Sequence, residues 1–212
     1  MPEKVAPGPI CEERSIREAV CIHTKKIFDS CRDKDCIEDL RVYPTRCSQE
    51  AIDRALSVKA GTAELLYAYI DVEPVSFNRG FYTVDVRYFY RITADAFVGA
   101  ARPIGITGLA VFDKRVVLFG SEGSAKIFAS RGEDCAPDHQ GQPRTNAPTA
   151  VVEAVDPLIL NLKLVDVCEC RPCDCGCAEI PGAVAACFPE DLMMTGDVHR
   201  LYVTLGQFSI IR

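Results

Sequence analysis

The sequence predicts an all-β protein: an antiparallel β-sandwich, either a two-sheet sandwich or a jelly-roll-like domain, with at most one short helix and cysteine-rich terminal regions. Two long runs, 64–75 and 81–99, alternate in polarity and are rich in Tyr, Val, Ile and Phe, residues that fit a pleated, half-buried surface. Shorter apolar runs follow at regular spacing with turn residues between them. The chain has 212 residues, 48% of them apolar, an ordinary size for one sandwich with a full core.

In chain order, residues 1–15 read as a flexible arm carrying Cys11, and 16–212 as a single sandwich domain with a cysteine-rich loop at 167–187. "AVCIHTKKIFDSC" (19–31) and "CIEDLRVYP" (36–44) are strand candidates. "SCRDKDCIED" (30–39) reads as a charged turn closed by Cys31 and Cys36, since neither the glycine nor the bidentate Glu of a calcium loop stands at its offset. A bend there that brings the two Cα atoms within about 7 Å lets them close a small disulfide loop. Ser48 is an acceptable N-cap for a helix through "QEAIDRAL" (49–56).

Then comes the β pattern. "SFNRG" (76–80) places Asn78 and Gly80, which tolerate positive φ, between the two long runs and predicts a hairpin. Tyr82, Val84, Val86, Tyr88 and Tyr90 share one face at period two. Strands are expected at 105–113, 115–120 and 124–130, with turns at Asp113–Lys114 and at "SEGS" (121–124). Residues 131–149 hold too many breakers for a core element. The pattern resumes over 150–168, interrupted at Pro157, and closes with "HRLYVTLGQFSII" (199–211).

A net charge of -6 without a Lys/Arg stripe argues against a nucleic-acid partner, because phosphate binding needs concentrated positive charge. The apolar run at 154–167 is broken by Asp156, Pro157, Asn161 and Lys163, well short of the ~20 residues of a spanning helix, so no membrane insertion is expected. "MPEKVAPGPICEERS" carries prolines and charges where a secretory signal needs an apolar run, so synthesis without a signal peptide is expected. Three histidines in unrelated contexts, and no nucleophile-elbow or phosphate-loop motif, leave no catalytic residue to name. The Cys21/His23 pair reads as solvated strand.

The twelve cysteines are distributed unevenly. Cys11, Cys21, Cys31, Cys36 and Cys47 lie before position 48; Cys135, Cys168, Cys170, Cys173, Cys175, Cys177 and Cys187 lie after 134. Thiols used as small core hydrophobes would be scattered through the middle as well. Their confinement to the two ends predicts bonding within and between subunits, and hence a self-assembling partner. "CRPC" (170–173) has zinc-knuckle spacing, and the alternative reading is a zinc module in which Cys170 and Cys173 gain a second pair, from Cys31 and Cys36 or from within 173–177. A single zinc would leave eight thiols unexplained. A thioredoxin-type reading fails on context, since that motif opens a helix after a parallel strand.

"VCIHTKKIFDSCRDKDCIEDLRVYP", "FNRGFYTVDVRYFYRITADAF" and "AVFDKRVVLFGSEGSAKIF" resemble a cysteine-rich family of anaerobic spore-forming bacteria whose members are sometimes labelled spore coat or outer spore-layer proteins. The resemblance spans roughly 20–212 and carries no catalytic motif. It implies a coat or outer-layer protein at the spore surface, made in the mother-cell cytoplasm, with other coat proteins as further partners. It also implies that the thiols become oxidised after assembly, when the mother cell lyses.

Overall fold

The computed structural model describes residues 21–22, 24–99, 102–123, 125–127, 144–167, 180–194 and 198–212. The elements are β1 (Cys31–Pro44), α1 (Arg46–Asp53), β2 (Ser57–Pro74), β3 (Phe81–Phe97), β4 (Ile104–Phe119), β5 (Lys126–Ile127), β6 (Arg144–Thr145), β7 (Val152–Ala154), β8 (Leu158–Asp166), α2 (Gly182–Ala185) and β9 (His199–Ile211). All pairings are antiparallel. Seven strands form one sheet in the order β2-β3-β4-β1-β9-β7, with β8 also on β9, while β5 and β6 form a small separate ladder. The all-β, antiparallel expectation holds. The arm at 1–15 and most of the cysteine-rich loop lie outside the described residues.

β3 anchors the sheet. Its Tyr82, Val84, Val86, Tyr88 and Tyr90 are all buried, as the alternation predicted. β2 and β3 meet through a turn in which Gly80 has φ 82, where an added Cβ would stand 2.8 Å from the Phe119 ring. β3 and β4 pair without interruption from Phe81↔Phe119 to Ala96↔Ile104. The turn expected at Asp113–Lys114 is therefore absent, and 104–119 is one strand. The strand expected at 124–130 is described only at Lys126–Ile127.

Two expectations near the start are also corrected. The charged stretch 30–39 is not a turn: Cys31–Ile37 pairs continuously with Ile211–Leu205 of β9, and the irregularity falls later, between Ile37 and Leu40, where Asp39 has φ 51. Of the strand expected over 19–31, residues 21–22 and 24–30 form none. Instead the Phe28 ring meets Phe119 edge-on and the Asp29 carboxylate accepts from the Phe119 N–H at 3.1 Å, so a side chain satisfies that amide where a ladder would have.

The sheet curls until β2 lies beside β8, giving a nearly closed, sandwich-like barrel whose two layers are halves of one continuous sheet. The Leu65 N–H donates to the Asp156 carboxylate across this seam at 2.9 Å. Inward residues of β1, β2, β3, β4, β8 and β9 form the main core. α1 stops one end with Ile52 fully buried. Its N-cap position is Thr45, not Ser48. Ser48 is buried one turn in, where its hydroxyl bonds Thr45 Oγ1 at 2.8 Å and accepts from the Thr107 N–H at 3.0 Å. A second core lies outside the barrel, where Val184 and Phe188, on and beside the single-turn α2, cover Phe89 and Leu109.

Candidate functional site

Inside the barrel a charged cluster sits where the sheet parts. β1 and β4 exchange pairs only from Val42↔Ala110 to Pro44↔Gly108. Beyond that point Lys114 faces inward from β4 and contacts two inward carboxylates of β1, Asp33 at 2.8 Å and Asp35. The lysine side chain is 7% exposed, Asp35 20% and Asp33 47%. Burial opposes the lysine's charge most strongly, but its hydrogen bonds to the two carboxylates outweigh it, and the net effect raises Lys114 above the ordinary ammonium range. The Lys114 hydrogen bond is also the main influence holding Asp33 below the usual carboxylate range.

Around the cluster stand buried polar groups. Tyr88 and Tyr90 are stacked, ring centroids 6.1 Å apart, and burial raises the pKa of both phenols. Their hydroxyls, Ser209 Oγ and Gln207 Oε1 are buried with no hydrogen-bond partner of good geometry, although Tyr88 and Ser209 are close neighbours. Such orphaned groups are uncommon in native interiors.

The described thiols are dispersed over the surface. Cys31 is half-buried, and Cys21, Cys36, Cys47 and Cys187 are exposed. Cys31 and Cys36, five positions apart on one strand, point to opposite faces some ~17 Å apart, so they neither close a loop nor grip one ion together. Cys47, in the first turn of α1, donates from its backbone N–H and its thiol to the two carboxylate oxygens of Glu190, each at 3.0 Å. That carboxylate pushes the thiol pKa up. The Cys187 thiol donates to the Ala183 carbonyl at 3.3 Å. Cys11, Cys135, Cys168, Cys170, Cys173, Cys175 and Cys177 lie outside the described residues, and so do His23 and His139. Among the described residues no group of three or more His, Cys, Asp or Glu side chains could hold a metal ion. His199 fastens α1 to the sheet through Ile52 O and Asp166, each at 3.0 Å.

Fold and site together define an all-β, nearly closed barrel with thiols over its surface and an ion cluster in its mouth. Comparisons with family models, curated proteins and solved structures return no match for this chain. The cluster itself was not legible as a site: its two halves, "RDKD" and "DK", read separately as turns. The signal lay in their opposite charge, which only the register joins.

Proposed function

We propose that the chain is a self-assembling structural protein of a spore coat, outer spore layer or appendage, cross-linked by disulfides within and between subunits. Under this reading it is made in the mother-cell cytoplasm and acts at the spore surface. The observation that carries the reading is the placement of the described thiols: four exposed, one half-buried, on both faces of the sheet, none in a disulfide with another described cysteine. Thiols so placed suit bonds to other chains or to the remaining cysteine segments, and a rigid β-domain holds them at fixed positions for such contacts.

Gel mobility of purified material under non-reducing and reducing conditions tests the proposal. Covalent multimers that collapse to monomer on reduction are expected, and a mass-spectrometric map then names the bonded pairs. Monomer under both conditions with twelve titratable thiols would overturn it. Zinc near one equivalent per chain, with folding lost on chelation, would replace it with the metal-module reading of the 168–177 segment.

A further inference from the structure

Lys114 occupies an unusual position for a lysine: inward-facing, on a strand, with its ammonium between two carboxylates of another strand. The contact falls where β1 and β4 have no ladder bonds, so these side chains bridge a gap in the sheet. Asp35 is the better buried of the two acids. Tyr88 is fully buried, its hydroxyl sits beside Ser209 without a hydrogen bond of good geometry, and it lies close enough to feel the charges of Lys114 and Asp35. An amine, an acid, a second acid and a weakly engaged hydroxyl thus meet at a site where the lysine is buried and Asp33 reaches solvent.

The geometry points to a self-made covalent bond: Lys114 and Asp35 condense to an isopeptide, with Asp33 as proton carrier and the Tyr88 hydroxyl as donor to the reacting carbonyl oxygen. The bond formed is Lys114 Nζ to Asp35 Cγ, the bond broken is Asp35 Cγ–Oδ, and the leaving group is water. An ammonium and a carboxylate contain every atom of an amide plus water, so charge is unchanged and no oxidant or co-reactant is needed. First a proton passes from Nζ to Asp35, leaving a neutral amine against a neutral acid; burial of the ammonium assists this exchange, while the hydrogen bonds from the two carboxylates that hold Lys114 charged oppose it and set its cost. The amine then attacks Cγ while the Tyr88 O–H meets the charge growing on the carbonyl oxygen. Asp33 takes a second proton from nitrogen, hands it to the departing hydroxyl and ends as a carboxylate. β9 holds β1 and β3 holds β4 in fixed register on either side of the gap, which keeps the reactants together and supplies the effective concentration the uncatalysed condensation lacks. The product joins β4 to β1 where hydrogen bonds do not. This inference stands apart from the disulfide reading.

The test is the intact mass of the full chain, reduced, alkylated and denatured. The expected mass is that of the fully alkylated sequence less one water, with proteolysis giving a linked peptide pair that carries Asp35 and Lys114. Lys114→Arg keeps a cation between the carboxylates but offers no nucleophile, and its mass should equal its sequence. Asp33→Asn should slow condensation on refolding by about a hundredfold, and an unchanged rate would remove Asp33 from the mechanism. An unmodified wild-type mass after days at neutral pH overturns the proposal, as does a lost water that maps to another pair of residues.

Discussion

At the scale of single residues, Cys47 differs from the other described thiols because Glu190 holds it. A carboxylate accepting from a thiol disfavours the thiolate, so the Cys47 pKa moves up from its ordinary 9.0. The raised value stabilises the protonated form: the contribution is complete below the ordinary thiol value and fades as pH rises through the folded one. Because the thiolate is the nucleophile, Cys47 should alkylate more slowly than Cys36 at pH near 8 and be the later of the two to enter a disulfide. Glu190→Gln should bring its rate up several-fold to that of an ordinary exposed thiol, as read by time-resolved peptide mass mapping. Equal rates for Cys47 and Cys36 in the wild-type protein would refute the carboxylate effect. Cys187, nearby in sequence, has only the Ala183 carbonyl as its acceptor and serves as an internal control.

At the scale of elements, the weak seam of the sheet is the short β1–β4 ladder. Gly108 sits within it, and an added Cβ would stand 2.7 Å from Val42 Cγ1, 2.8 Å from Tyr43 O and 2.9 Å from Pro44 Cα. Two of those neighbours are backbone and cannot yield without shifting β1. Gly108→Ala should therefore destabilise the fold by about 1–3 kcal/mol through overpacking, measured as a lower urea midpoint. An unchanged midpoint would mean that the two strands separate freely there.

The elements also show what sequence reveals and what it hides. β3 was legible because five inward apolar residues alternate with outward polar ones, and β9 was legible over 199–211 from its Leu, Tyr, Val, Phe and Ile content, although Gln207 and Ser209 take inward positions near its end. The first part of β1 and the middle of β4 read as turns because charged residues at inward positions resemble turn composition until their partners are known, while 36–44 reads correctly as strand. Asp33 and Asp35 are tolerated inside because Lys114 is there, and Lys114 because they are. Phe89 breaks the alternation of β3 in the outward direction. That was a visible hint of a covering segment, but nothing in sequence spacing identified it as Val184 and Phe188, some hundred residues on. The start of α1 was misplaced because Thr45 and Ser48 are equally good caps locally. Ser48 is instead used by the Thr107 amide of β4.

At the scale of the molecule, β9 is the hub. It pairs with β1 on one side and with β7 and β8 on the other, and its Leu201, Val203, Leu205 and Ile211 are buried in the main core. Removal of 199–212 would leave three strands without their partner. The truncated chain should lose cooperative thermal unfolding altogether, as followed by circular dichroism. A truncated chain that still melted sharply would show that β2, β3 and β4 fold on their own. Most contacts join residues far apart in sequence, so refolding of the intact chain belongs in the slow, millisecond-to-second range of β-rich folds.

The place of β9 in the chain carries a consequence for manufacture. β1 emerges from the ribosome early, and its main partner only after every other strand has been made. Until then the stretch of β1 that carries Cys31 on its inner face and Cys36 on its outer face lacks the strand it is laddered to, with only Lys114 of β4 to meet it. A chain interrupted before His199 can present neither thiol in a defined geometry. Synthesis itself thus acts as an inspection gate: only chains that have passed the last of the described strands hold these two thiols in fixed register.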